Sequence, residues 1–329
     1  MSTETSIDRG ALIANLRPMD LNVPYHADVD EKRYFQAYGI DFESELEGLE
    51  HYFGVIPCQL ASDDFQIACH YYSKTGATRT CYIMHGYLDH VGLFGQLINY
   101  LLHRGCNVVA FDLPGHGLSS GKRASIDSFG DYVLVLRSVL EYFYQKVPTP
   151  WFVVAQSTGA AIVMDYLISQ QYDETTGPFE KVVLLAPLVR ARHASLMRPL
   201  RKLLGLFVSK IPRKFSKNSH DEAFLKRVRE DELASHHMPL RWIRAMLRWE
   251  KRFDKLSWVE QEVLVVQGEG DQTVAWRHNL DVIRRKFPSA KIYRIQQAGH
   301  HLVGESERYF ERVTQAMDIY FERRRTPRD

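Results

Sequence analysis

The chain has 329 residues, 45% of them hydrophobic and 25% charged, and its 42 Lys and Arg against 40 Asp and Glu leave a net charge of +2. That balance excludes a disordered chain, a collagen-like or Pro/Gly-dominated one and a generally basic nucleic-acid binder. The length suffices for one large α/β domain or two smaller ones, with a sizeable buried core.

Residues 1–54 are mixed in pattern and carry no strong motif, so they read as an N-terminal extension. They hold no apolar h-region of the kind a secretory signal needs. From residue 55 short β-branched runs alternate with longer helical patterns. VIPCQL (55–60) and FQIACHYYS (65–73) suit an antiparallel pair. CYIMHG (81–86), NVVAFDLPG (107–115), WFVVAQS (151–157), KVVLLAP (181–187), VLVVQGEGD (263–271) and KIYRIQQAGH (291–300) follow. Near-continuous Val/Ile/Leu runs are expected of strands buried on both faces. Residues 128–147 carry apolar positions at helical spacing, and Pro148 stops them. The alternation predicts a mostly parallel eight-stranded sheet flanked by helices. Residues 188–260 show helical pattern and no clear strand. They read as an inserted helical cap that divides the core into 55–187 and 261–329.

No run approaches the ~18 apolar residues that a spanning helix needs. Cys58, Cys69, Cys81 and Cys106 lie in apolar, strand-like stretches without metal-type spacing, as reduced buried thiols would. These features together point to a cytoplasmic protein.

The most informative segment is WFVVAQSTGAA (151–161). An apolar strand runs straight into Ser157 and then into small residues that open a helix, which is the layout of a nucleophile elbow. The positions two before and two after must be small, because strand and helix backbones approach closely there. Gly159 meets that need; Ala155 stands where Gly is usual. Two partners follow in the order such a site requires. Asp271 comes at the end of one later strand and His300 at the end of the next. Catalytic groups in open α/β sheets gather at that edge. The imidazole would take the Ser157 proton, and Asp271 would hold its tautomer. Glu269 falls earlier in the same loop and His301 competes with His300; the small Ala298–Gly299 pair favours His300. An oxyanion hole needs two backbone N–H groups, for which Tyr87 and Thr158 are placed. His85 reads as structural, since another His already follows the last strand.

HGYLDH (85–90), FDLPGHGLSSGKRASIDSF (111–129), AQSTGA (155–160), GEGDQTV (268–274) and AGHHLVGE (298–305) together resemble the α/β-hydrolase superfamily. Within it, the chain is most similar to the monoacylglycerol lipase and bacterial lysophospholipase group, also described as serine-aminopeptidase-like hydrolases. The likeness spans roughly residues 55–325. It implies an α/β-hydrolase fold with an inserted cap, a Ser157–Asp271–His300 triad, an oxyanion hole of the Tyr87 and Thr158 N–H groups, and neither metal nor cofactor. The expected function is hydrolysis of lipid-like monoesters, a monoacylglycerol or a lysophospholipid, through an acyl-enzyme on Ser157. The alternatives are an esterase, thioesterase or peptidase-like hydrolase on small non-lipid substrates, and a non-catalytic binding scaffold.

The cap holds 18 Lys and Arg against 8 Asp and Glu, and 190–217 has nine basic residues and no acidic one. On a helical wheel, Leu196 to Ile211 gathers Leu196, Leu200, Leu203, Phe207 and Ile211 on one face and Arg198, Arg201 and Lys202 on the other. A basic amphipathic helix of this kind suits either a roof over an acyl chain or peripheral contact with an anionic membrane at its inner face, through Arg190–Lys217. No nucleic-acid partner is expected, because no aromatic or fold signature accompanies the charge.

Overall fold

A computed structural model describes residues 7–23, 25–42, 46–61, 63–192 and 209–323. Eight strands form one sheet: β1 (Leu49–Gln59), β2 (Asp64–Lys74), β3 (Thr80–Met84), β4 (Asn107–Phe111), β5 (Trp151–Gln156), β6 (Phe179–Leu185), β9 (Leu264–Gly268) and β10 (Lys291–Ile295). Their spatial order is β1-β2-β4-β3-β5-β6-β9-β10. β2 runs against both its neighbours, and every other pairing is parallel. Every apolar run expected to be a strand is one. β1 starts at Leu49, ahead of the boundary expected at residue 55, so the extension ends inside the sheet.

Both faces of the sheet are buried, and β5 shows how. Trp151, Val153 and Ala155 enter the core beneath α4 (Phe129–Phe143) and α5 (Thr158–Ser169). Phe152 and Val154 enter the opposite core, beneath α3 (Gly95–His103) and α9 (Glu307–Glu322). The period-2 pleat sends neighbouring residues to opposite faces, so a strand covered on both sides must be apolar throughout. Ser128 caps α4 by accepting from the Gly130 N–H, and Gly39, left-handed at φ 63°, ends α2 (Val29–Tyr38). The four cysteines are free and buried. Among the described residues no helix is long and apolar enough to cross a membrane.

The cap departs from the expected all-helical pattern. Its helices are α6 (Glu222–Glu230) and α7 (Leu240–Lys255), but β7 (Lys210–Pro212) and β8 (His237–Pro239) pair antiparallel between them. Lys210 and Ile211 are therefore strand rather than the end of an amphipathic helix. Pro212 and Pro239 fix φ and lack an N–H, which suits a two-stranded edge and opposes helix continuation. The rest of that expected helix, residues 196–208, lies outside the described residues; of residues 190–217, 193–208 are not described.

The N-terminal extension packs on the core. Leu12, Tyr34, Phe35 and Tyr38 are buried with the α3 side of the sheet. One polar knot joins extension, core and cap. Asp231, from the cap, accepts the Tyr38 hydroxyl at 2.7 Å and the Leu233 N–H at 2.8 Å, and meets His90 Nε2 at 2.8 Å. Burial pulls His90 toward the neutral form, but the Asp231 charge outweighs it and raises His90 above its ordinary value. Burial pushes Asp231 up, and His90 outweighs that and holds it low. The contact is an Nε2–H hydrogen bond to the carboxylate when His90 is neutral and an ion pair when His90 is protonated. The His90 contribution to stability is complete below about pH 6.5 and is lost as pH rises through its raised value; the Asp231 contribution is lost only as pH falls through its lowered one. Asp231→Asn is expected to cost about 3–5 kcal/mol in urea unfolding. The cost should be larger near pH 6 than near pH 9. A cost that grows with pH would contradict the ion pair.

Candidate active site

Ser157 occupies the single residue between β5 and α5 at φ 53° and ψ −109°. A non-glycine residue held there stores about 1–3 kcal/mol of backbone strain. The surroundings enforce it. The Ser157 N–H donates to the Leu185 carbonyl at 2.9 Å, and its carbonyl accepts from Leu188 and Ala161. Gly159 is required by close approach: a Cβ there would lie 2.5 Å from the Met84 carbonyl and 2.8 Å from that of His85. Ala155 is fully buried within β5, in register with Met84 and Leu184, where its methyl is accommodated.

Asp271 and His300 reach Ser157 from the loops after β9 and β10. His300 Nδ1 lies 2.6 Å from Asp271 Oδ2, and His300 Nε2 lies 3.0 Å from Ser157 Oγ. The three side chains form one hydrogen-bonded chain, and all are buried. Asp271 is further held by the Thr273 N–H (2.7 Å), the Val274 N–H (3.1 Å) and Gln267 Nε2 (3.1 Å). Burial pushes the Asp271 carboxyl up, but the His300 charge and these donors outweigh it and leave it below its ordinary value. Burial pulls His300 down, and the Asp271 charge and hydrogen bond outweigh that and raise it. The imidazole is thereby a stronger base than a free one, with Nδ1 donating to Asp271 and Nε2 turned to the serine.

The loop after β3 closes the site. A Cβ on Gly86 would lie 3.4 Å from Ser157 Cβ and 2.7 Å from Asp89 Oδ2, so this backbone passes directly beside the serine. The Tyr87 ring stacks on Trp242 of α7 with centroids 3.5 Å apart, and its hydroxyl donates to the Ala124 carbonyl at 2.8 Å. Cap and core together thus pin the backbone at Tyr87. Tyr87, Thr158, Ser157 and His300 line one cavity of about 260 Å³.

The competing residues are occupied elsewhere. Glu269 pairs with Arg294 at 3.2 Å. His301 Nε2 faces Asp89 Oδ2 at 3.2 Å, at an angle too poor for a hydrogen bond, and does not face Asp271. His85 is buried and spends both nitrogens on backbone: Nδ1 donates to the Gly86 carbonyl (2.7 Å) and Nε2 accepts from the Leu113 N–H (2.8 Å). Burial lowers its proton affinity, so it serves as a neutral strut. Gln267 and Glu305 were not singled out from the sequence. Glu305 accepts the Gly299 N–H at 2.6 Å, which fixes the loop that carries His300. A Gln inside an apolar strand and an acid just past the His pair were the available signals. Among the described residues no group of three or more His, Cys, Asp or Glu could hold a metal ion.

A family model described as "Serine aminopeptidase, S33" matches residues 76–307. The chain belongs to that family. Its sequence relatives include monoglyceride and monoacylglycerol lipases. It is 28% identical to a monoglyceride lipase of Homo sapiens over 142 residues, 43% of this chain and 45% of the relative. It is 26% identical to a monoacylglycerol lipase of Mycolicibacterium smegmatis over 200 residues, 58% of this chain and 70% of the relative. The match thus spans less than half of the human protein's length. Among solved structures, the monoacylglycerol lipase of Paleococcus ferrophilus superposes with a TM-score of 0.65 at 22% identity, over 78% of this chain and 98% of that one. At that identity the likeness carries the fold.

Asp271→Asn leaves the packing intact but removes the charge that raises His300. Reaction of Ser157 with a fluorophosphonate is expected to slow by about 10⁴-fold. Its remaining pH profile should rise at lower pH than in the wild type, because His300 loses the partner that held its proton. An unchanged rate and profile would show that Asp271 does not act on His300.

Proposed function

We propose that the chain is a serine carboxylester hydrolase of lipid-like monoesters, a monoacylglycerol or a lysophospholipid, acting through an acyl-enzyme on Ser157. The supporting observation is the hydrogen-bonded chain from Asp271 through His300 to Ser157, opening on a cavity with apolar walls that include Leu188, Met238, Trp242, Met246 and Val274. The relatives named as monoglyceride and monoacylglycerol lipases point to the same chemistry.

In this reading the ester carbonyl carbon is attacked by Ser157 Oγ as His300 Nε2 takes the hydroxyl proton. The Tyr87 and Thr158 N–H groups stabilise the oxyanion. The bond from that carbon to the alkoxy oxygen breaks, and His300 returns the proton to the leaving alcohol. Water, deprotonated by His300, then attacks the acyl carbon and releases the fatty acid and Ser157. The raised His300 value places the acid limb of activity above about pH 6.5, since the base must be neutral.

Labelling with a fluorophosphonate tests the nucleophile: wild type labels and Ser157→Ala does not. Rates on p-nitrophenyl esters of rising acyl length should increase beyond butyrate. A rate that falls instead would favour a small-ester or peptidase-like substrate.

Peripheral contact with an anionic membrane through 190–217 is part of the proposal, with two constraints. Arg190 Nε is tied to Glu250 at 2.5 Å and Lys217 Nζ to Glu222 at 2.7 Å, so the ends of the run are partly neutralised within the chain. Co-sedimentation with anionic vesicles is expected to exceed that with neutral ones and to fall with salt. Equal, salt-insensitive recovery would reject the contact.

A further inference from the structure

The cavity above Ser157 is chemically two-sided. Leu188, Met246 and Val274 give it an apolar wall, whereas Arg213, Lys214 and Arg229 bring three cationic side chains to it from the cap. Asp89 is the one carboxylate lining it among the described residues. Asp89 is buried, and the neighbouring His301 and Arg213 outweigh its burial and hold it ionised, so its charge is already matched. Further polar atoms on the cavity-lining residues are buried without a hydrogen-bond partner among the described residues: Thr158 Oγ1, Trp242 Nε1 and both nitrogens of His301. Buried polar atoms are normally satisfied, and those that face a cavity are open to a ligand.

Arg213 is built in rather than loose. Its guanidinium donates to the Leu88 carbonyl at 3.3 Å and lies 4.8 Å from the centre of the Phe215 ring. Leu88 adjoins Tyr87 and holds a left-handed φ of 68°. The arginine thus reaches the cavity beside the loop that passes the serine. A planar guanidinium held in place favours a phosphate or carboxylate oxygen, whereas a neutral glycerol gains little from it.

Resting on the ester-hydrolase reading, we propose that the alcohol half of the substrate carries an anionic phosphate, which Arg213, Lys214 and Arg229 receive while the acyl chain lies along the Leu188–Met246–Val274 wall. The substrate class is a lysophospholipid with an exposed phosphate in preference to a neutral monoacylglycerol. The reaction is unchanged: the acyl–oxygen bond is hydrolysed, and a fatty acid and a glycerol phosphate leave.

The test compares monooctanoylglycerol with octanoyl lysophosphatidate, both kept below micelle formation so that no charged interface contributes. The readout is the ratio of kcat/KM on the phosphate ester to that on the neutral one. Wild type should favour the phosphate ester by about tenfold or more, and Lys214→Gln with Arg229→Gln should bring the ratio toward one, chiefly through KM. Equal fluorophosphonate labelling shows that the double variant is folded; if it fails to label, each single variant is read in the same way. A wild-type ratio of one or below overturns the headgroup assignment, and so does a ratio the variants leave unmoved. Octyl phosphate should inhibit monooctanoylglycerol hydrolysis more strongly than inorganic phosphate. Equal inhibition would make this a free-anion site and overturn the lipid assignment. If wild type cleaves neither ester and Ser157 does not label, the ester-hydrolase reading itself has failed, and the headgroup assignment fails with it.

Discussion

The site depends on one close approach: the first turn of α5 passing over the end of β3. Gly159 lies against the Met84 and His85 carbonyls, and no side chain fits between them. That contact lets the chain reverse within a single residue, forces Ser157 to positive φ and leaves its hydroxyl at the C-terminal edge of the sheet. The strain of about 1–3 kcal/mol is small beside what encloses it, because the residues on both sides belong to a fully buried strand and to a helix buried from Thr158 to Ile168. A substitution that relaxed the turn would have to displace a central strand.

Around the cavity, three buried His–Asp pairs divide the work. His300–Asp271 presents an imidazole nitrogen to the serine hydroxyl. His301–Asp89 lies under the Tyr87 loop, with Asp89 beside Gly86. His90–Asp231 joins that loop's end to the cap and, through Tyr38, to the N-terminal extension. The pairs use the same two side-chain types, and their surroundings separate their roles. In the first, one imidazole nitrogen is turned to a hydroxyl that can release a proton. In the third, Nε2 meets Asp231, and Nδ1 accepts the Gly92 N–H at 3.2 Å, so no face remains for chemistry. Position relative to Ser157 distinguishes the proposed base from the strut, and the imidazole's intrinsic basicity does not.

Much of this was legible in the sequence because it is written in local pattern. Strands buried on both faces leave unbroken apolar runs, and a serine between such a run and small residues marks the turn. Asp271 and His300 stand out in the sequence because each follows an apolar strand within a few residues. What stayed hidden depends on contacts between distant segments. Nothing near Asp231 announces that it meets Tyr38 and His90, which are 193 and 141 residues away. The same holds for Glu305, whose hydrogen bond to Gly299 supports the His300 loop. The β7–β8 ribbon was missed for another reason. Three-residue strands ending in proline carry too little period-2 pattern to outweigh the helical spacing around them.

The cap's charge also reads differently once its partners are known. Eighteen cations against eight acids suggested a surface facing an anionic bilayer. Yet Arg241 pairs with Asp127 and Arg252 with the buried Asp165, both acids on the hydrolase core, and Arg248 donates to the Asp127 carbonyl. Much of the opposition between a basic cap and a more acidic core therefore fastens one to the other. Exposed pairs contribute little each, about 0–1 kcal/mol, but Asp165 is buried, and without Arg252 its charge would be costly to keep there. Burial already pushes the Asp165 carboxyl above its ordinary value against the pull of Arg252. The fastening therefore has a direction: it holds α7, and with it Trp242, against Tyr87. Basic residues that bind the cap to the core thus act on the serine's surroundings indirectly, whereas Arg213, Lys214 and Arg229 reach the cavity itself.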